Sequence, residues 1–276
     1  MGKGGAGLSV IRVRAFTDLG LVRKRNEDCV LVAGWLSQTR DGSLVTMDFT
    51  PTTPFVCAVA DGMGGHVGGD LASRVALTVI GERSPAWHTE QDVASTLIET
   101  NDQVRAVGVE AELQGLGTTV AGICITPDAV IVFNVGDSQV FSITGGVLTQ
   151  ISIDDSVFDT NGRPTNIITQ SLGQLAPVQP HVKVLPLEVG TYLMCSDGVS
   201  GVMTPEDLEA AVRRPDLDDC AADIIETTRA NGAHDNLSFV IVDIPDLLAP
   251  ETVIAALVPP EQPEVAAPDA EGEEVA

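Results

Sequence analysis

Short apolar runs that begin or end at an aspartate dominate the chain. Phe55 to Ala60, Tyr192 to Cys195 and Leu237 to Val242 are near-continuous in apolar residues, as expected of strands covered on both faces. Ile11 to Thr17 alternates apolar and polar side chains, and Asp28 to Ala33 continues in similar style after an Arg-Lys-Arg-Asn-Glu turn. The two predict a hairpin with a charged tip. Trp35 to Pro54 has few periodic features and reads as an elaborated connection. Glycines at 62, 64, 65, 68 and 69 precede a helical pattern carried by Leu71, Val75, Leu77, Val79 and Ile80, which stops near Ser84-Pro85. A second helix is predicted from Gln91 to about Leu113. Strands return at Val120 to Ile125, Val130 to Val135, Gln139 to Ile143, His181 to Leu185 and Thr191 to Cys195, and helices at Pro205 to Val212 and Asp219 to Ala230. Strands and helices do not alternate regularly, so the pattern predicts an antiparallel α+β architecture rather than a doubly wound one.

The chain has 276 residues, 44% of them hydrophobic, enough for one catalytic domain, expected over 1–245. No Lys or Arg follows Arg229, and residues 246–276 are rich in Glu, Asp, Pro and Ala, the composition of a disordered acidic tail. A net charge of −24 argues against nucleic acid as a partner, since gripping phosphates needs clustered Lys and Arg. No apolar stretch approaches the roughly 20 residues of a membrane span, and MGKGGAGLSV lacks a secretory apolar segment, so a soluble cytoplasmic protein is expected. Cys29, Cys57, Cys124, Cys195 and Cys220 show no Cys-x-x-Cys spacing, which fits reduced core thiols rather than zinc ligands or disulfides.

Asp61 and Asp197 follow their apolar runs while Asp235 precedes its own, so antiparallel pairing predicts three carboxylates at the same edge of one sheet. Each motif alone is an ordinary turn. Jointly, and with the further acidic elements around Glu27-Asp28 and Asp137, they read as a site for Mg²⁺ or Mn²⁺, which favour hard oxygen ligands. Two such ions about 3.5–4 Å apart can share a carboxylate and supply hydroxide beside a phosphoryl group. In that arrangement Asp61 bridges, the Gly62 carbonyl coordinates, Asp197 and Asp235 complete one ion's shell, and Glu27 holds a water on the other. Arg23 either clamps phosphate oxygens with its planar guanidinium or is simply an exposed basic tip. His66 is a candidate acid for a leaving alkoxide, with a plain surface histidine as the alternative.

At these residues the chain resembles the metal-dependent Ser/Thr protein phosphatases of the PPM (type 2C) family in their bacterial form. The resemblance rests on an ordered series: Asp18-Leu-Gly-Leu-Val-Arg23 leading to Asn26-Glu27-Asp28, Ala60-Asp61-Gly62-Met63-Gly64-Gly65-His66, Gly117-Thr118-Thr119, Asn134-Val-Gly-Asp137-Ser138, Ser171-Leu172-Gly173, Ser196-Asp197-Gly198 and Asp235-Asn236. It implies a sandwich of two antiparallel sheets flanked by helices, four layers α-β-β-α, with a binuclear Mg²⁺ or Mn²⁺ cleft. It further implies Arg23 on phosphate, metal held by Asp61, Asp197, Asp235, the Gly62 carbonyl and, through water, Glu27, and a third, weaker ion at Asp137. The implied substrates are phosphorylated proteins, with a cognate Ser/Thr kinase as partner. Separately, a monomer is expected because no extended heptad or edge-pairing signal stands out. Two departures stand out: Gln139 replaces the usual Arg after Gly-Asp-Ser, and Asp154-Asp155-Ser156 replaces Asp-His-Ser. The segment from Asp155 to Asn166 is short, so a trimmed flap is expected. A catalytically weak phosphoprotein-binding module of the same fold is the competing expectation.

Overall fold

The computed structural model describes residues 7–50, 52–63, 68–113, 115–158 and 164–248. Its first strands are β1 (Gly7–Leu8), β2 (Ile11–Asp18), β3 (Asp28–Val32), β4 (Trp35–Ser37), β5 (Val45–Phe49) and β6 (Phe55–Met63), followed by helices α1 (Gly69–Arg83) and α2 (Glu90–Glu110). Next come β7 (Gly117–Thr118), β8 (Val120–Ile125), β9 (Ala129–Val135), β10 (Gln139–Thr144), β11 (Val147–Gln150), and the hairpin β12 (Ser156–Phe158) with β13 (Pro164–Ile168). The chain continues through β14 (His181–Pro186), β15 (Gly190–Cys195), α3 (Asp197–Ser200), α4 (Pro205–Val212), α5 (Leu217–Ala230), β16 (Leu237–Ile244) and β17 (Leu247–Leu248).

Two antiparallel sheets face each other. One runs β11-β10-β15-β16-β2-β5; the other runs β14-β9-β8-β6-β3-β4, with β7 attached to β6. Three cores account for four layers. Between the sheets lie Val13, Val30, Val59, Ile123, Met194 and Val240; α1 and α2 bury Ala76, Ile80, Leu97 and Val104 against β6, β8 and β9; α4 and α5 bury Leu208, Ala221 and Ile224 against β15 and β16. Gly122 is needed where β8 pairs with β9 opposite Phe133: a Cβ there would lie 2.4 Å from the Phe133 ring and 2.7 Å from the Cys57 carbonyl oxygen. That space lets Phe133 meet Trp87 edge to face at 5.5 Å. Helix α2 begins with a reciprocal capping box between Thr89 and Asp92.

The predicted sandwich stands, with corrections to its wiring. β2 and β3 do not form a hairpin: β2 pairs with β16 and β5, β3 with β6 and β4, and the Arg23 segment crosses between the sheets. β2 is buried at every residue but Arg12, beyond the half-buried strand its alternation predicts, and β3 is buried throughout; burial does not say which strand supplies the ladder partner. The connection over Trp35 to Pro54 contains β4 and β5, both short edge strands whose half-exposed residues leave a weak pattern. β17 pairs with β1, and the expected acidic tail lies from 249 onward outside the described residues. Among the described residues no helix is long and apolar enough to cross a membrane.

Candidate active site

Asp61 lies within β6, where its ladder partner is Asp28 at the start of β3. On the facing sheet, β15 leads into Ser196 and Asp197, and the antiparallel β16 starts after Asp235 and Asn236. The three aspartates therefore meet at one end of the sandwich but not on one sheet: Asp61 comes from one layer, Asp197 and Asp235 from the other. Two glycines permit this approach. A Cβ on Gly62 would lie 2.0 Å from the Gly69 carbonyl oxygen, and one on Gly198 would lie 1.7 Å from the Asn236 carbonyl oxygen. Asp61 is fixed through its backbone, leaving its carboxylate uncommitted there. Its N–H donates to Thr119 Oγ1 (3.0 Å), and its carbonyl accepts from Thr118 Oγ1 and the Thr119 N–H, both at 2.8 Å.

The resulting pocket is crowded with negative charge. Burial raises the Asp61 carboxyl well above its ordinary range, reinforced by Asp28 and Asp197. Burial also raises Asp197, offset in part by Asp61 and by Arg23. Asp28, accepting from Ser196 Oγ at 2.8 Å, is pushed up to about 7 by burial, and Asp137 to about 6 by burial and then Asp197. Glu27 is raised by burial and by Asp70 and Asp235, against the opposing pull of Arg23. Carboxyls crowded together in a buried site disfavour one another's charge unless protons or a cation compensate it.

One atom makes the deficit specific. Asp197 Oδ1 is buried and has no hydrogen-bond partner among the described residues. A buried carboxylate oxygen without a partner is costly, and oxygen donors in this number and charge suit a hard divalent cation. Among the described residues no group of three or more His, Cys, Asp or Glu side chains is gathered closely enough to hold a metal ion. Arg23 instead supplies positive charge, donating from Nη2 to Asp235 Oδ2 at 2.5 Å while its side chain stays about half exposed. A guanidinium has five N–H donors, so that pairing does not exhaust them.

The family model described as protein phosphatase 2C matches residues 44–240. This chain belongs to the protein phosphatase 2C family. Serine/threonine protein phosphatase PstP of Mycobacterium tuberculosis is 30% identical over 254 residues, an alignment covering 86% of this chain and 46% of that protein. The chain thus spans about half the length of that curated relative. Serine/threonine phosphatase stp of Listeria monocytogenes is 28% identical over 254 residues, covering 82% of this chain and 93% of the relative. The crystal structure of the M. tuberculosis serine/threonine phosphatase PstP/Ppp superimposes with a TM-score of 0.72 at 26% identity, covering 86% of this chain and all of that one. The catalytic domain of PstP, solved in complex with 2 manganese ions, gives 0.71 at 27% identity with the same coverage.

Within this protein phosphatase 2C domain, Arg23, Glu27, Asp61, Gly62, Asp197 and Asp235 share one end of the sandwich, and Asp137 is close enough to Asp197 for that carboxylate to raise it. His66 lies outside the described residues. Several supporting residues gave no separate signal in the sequence. Asn236 Oδ1 accepts from the Glu27 N–H (2.9 Å), and its Nδ2 donates to the carbonyls of Leu19 (3.0 Å) and Arg25 (2.8 Å), tying the Arg23 loop to the Asp235 edge. Asn26 Nδ2 likewise donates to Thr17 Oγ1 and the Thr39 carbonyl, while its Oδ1 accepts from the Asp28 N–H. Both asparagines stand inside the motifs quoted above, and a buried amide beside an aspartate is the available clue. The two departures pair with one another's surroundings. Gln139 Nε2 donates to Asp154 Oδ2 at 2.7 Å, and Asp155 contacts His181 Nε2 at 2.8 Å and accepts from the Gly136 N–H at 2.8 Å.

Proposed function

We propose that this chain is a phosphoprotein phosphatase that hydrolyses phosphoserine and phosphothreonine with Mg²⁺ or Mn²⁺. The observation that carries the reading is the partnerless, buried Asp197 oxygen in a carboxylate pocket with Arg23 at its lip, in a chain of the protein phosphatase 2C family. Asp61, Asp197, Asp235 and the Gly62 carbonyl would hold the two ions, Glu27 would reach one through water, and Asp137 would serve a weaker third. Bound there, such ions would make a water nucleophilic near neutral pH and neutralise phosphoryl charge. Thr118 and Thr119 hold Asp61 still, so its carboxylate need not reorganise during turnover. Arg23 orients the phosphate through the guanidinium donors that Asp235 leaves free, and the bond to Asp235 keeps that guanidinium aimed at the pocket.

The biological counterpart of such an activity is a protein Ser/Thr kinase whose products are the substrates. We place the working unit in residues 1–245, acting as a cytoplasmic monomer, with the acidic tail outside the chemistry. Phosphate release from a phosphothreonine peptide, measured with Mn²⁺, with Mg²⁺ and with chelator, tests the reading. Multiple turnovers that vanish with chelator and in Asp197→Asn support it. Stoichiometric phosphopeptide binding without turnover at any metal concentration would replace it with a binding module.

A further inference from the structure

Every described arginine except Arg25, Arg40 and Arg74 has an Asp or Glu carboxylate within 4.0 Å. With 39 acidic residues against 15 basic ones in the sequence, an arginine without such a partner is the exception. The three exceptions are exposed, and all border the segment that carries Arg23 and Glu27. Arg25 lies within it. Arg40 Nη2 donates to the Lys24 carbonyl at 2.7 Å, which sets its guanidinium against the backbone next to Arg23. Arg74 follows Ser73, whose Oγ donates to the Glu27 carbonyl at 2.6 Å. Lys24 is exposed too, and among the described residues neither it nor the three arginines pairs with Glu27, Asp41 or Asp70, the nearest acids along these segments.

This basic rim joins the carboxylate pocket through the pocket's own residues. Arg23 is bonded to Asp235, and the Arg25 carbonyl accepts at 2.8 Å from Asn236, the residue after Asp235. An extended peptide advances about 3.3–3.6 Å per residue, so groups one to three residues from a phosphate at Arg23 fall within reach of the long side chains beside it. Guanidinium forks suit phosphate and carboxylate oxygens, and Arg40 is already held in place by one donor. The net charge of −24 does not cancel the rim, because exposed charges beyond a Debye length of about 8 Å are largely screened. It does oppose an extended polyanion, which would run on over acidic surface, so the rim suits a single local anion.

We infer that Lys24, Arg25, Arg40 and Arg74 form a second anion subsite, so that the enzyme selects phosphorylated segments carrying another anionic group, phosphate or acidic side chain, within about three residues of the scissile phosphate. The inference rests on the phosphatase reading above and names its substrate class. Its test is a panel of phosphothreonine peptides in which Ala, Asp or a non-hydrolysable phosphonate analogue of phosphothreonine occupies, in turn, each of the three positions on either side. The Asp and phosphonate arms separate a carboxylate from a phosphate as the second anion. The peptides are assayed with the full chain and Mn²⁺, with an aryl phosphate as the reference substrate. Expected is a gain of about tenfold in kcat/KM for an anion over Ala at one position or more, the size of a few exposed ion pairs acting together, and shrinking as KCl is raised. The gain should vanish in the combined variant Lys24→Gln, Arg25→Gln, Arg40→Gln and weaken in Arg74→Gln, with kcat/KM on aryl phosphate kept within about twofold. Circular dichroism checks folding, and if the combined variant fails to fold, Arg40→Gln alone and the KCl series on the wild type decide. Equal turnover of all peptides by the wild type, a gain that KCl or the variants leave unchanged, or an aryl phosphate rate that falls along with the peptide rates would overturn the subsite and leave the phosphatase reading intact. A wild-type chain inactive on peptides and aryl phosphate alike would remove both readings together.

Discussion

Asn236→Ala should loosen the Arg23 loop more than any lost contact area would suggest. The side chain is 3% exposed and makes three hydrogen bonds, all to backbone: Glu27 N–H, Leu19 carbonyl and Arg25 carbonyl. A typical protein hydrogen bond contributes about 0.5–1.5 kcal/mol net, so three sum to about 3 kcal/mol; for a domain of this size that is a fall in Tm of roughly 6–12 °C. Asn236→Asp is the informative companion. It keeps the acceptor for Glu27 and nearly the same shape, yet it turns a carboxylate oxygen toward two carbonyls that need a donor. If the amide donor is what matters, Asn236→Asp should be at least as destabilising as Asn236→Ala. The assay is urea unfolding of the metal-free protein at constant pH, combined with hydrogen exchange at the Glu27 amide, which should become unprotected in Asn236→Ala, where its acceptor is gone. A loss below about 1 kcal/mol in Asn236→Ala, or an Asp variant that matches wild type, would refute the assignment of Asn236 as the tie between the two sheet edges.

Further expectations follow from the same geometry. Asp197→Asn should abolish metal-dependent turnover yet raise the Tm of the metal-free protein, because it removes one charge from a pocket where burial already disfavours Asp61 and Asp28 as anions; a metal-free Tm below wild type would contradict the crowding argument. Gly122→Ala should cost about 1–3 kcal/mol in chemical denaturation, since the new methyl would sit 2.4 Å from Phe133 and 2.8 Å from Ala58 Cβ. All five cysteines are buried, and burial pushes the thiols of Cys29, Cys124, Cys195 and Cys220 up to about 12 and Cys57 higher still. Mass spectrometry after iodoacetamide at pH 8 should accordingly show no modified cysteine in the native protein and five after denaturation. Truncation after Leu248, which keeps the β1–β17 pairing, should leave kcat and Tm within error of the full chain.

What the sequence made legible and what it hid divide along a physical line. β6, β8, β9, β15 and β16 are buried on both faces, so their apolar runs announce them, and the aspartates that interrupt those runs mark the end of the sandwich where the pocket forms. Strand pairing is a different quantity. Val13 and Val30 face the same inter-sheet core, yet they belong to opposite sheets, and nothing in their burial distinguishes a neighbour across a ladder from one across a core. The hairpin expected between β2 and β3 failed for that reason, and its failure changes how the pocket is understood. A hairpin tip would leave Arg23 on a mobile edge of one sheet. A crossing segment is instead anchored at both ends, by Asp18 in one sheet and Asp28 in the other. Asn236 then fastens its middle to the Asp235 edge, so the guanidinium that would meet phosphate is positioned by contacts that run from the Arg23 segment to β16. Loosening that tie would displace Arg23 without touching any carboxylate, which is why a buried amide with no chemistry of its own should matter to the site.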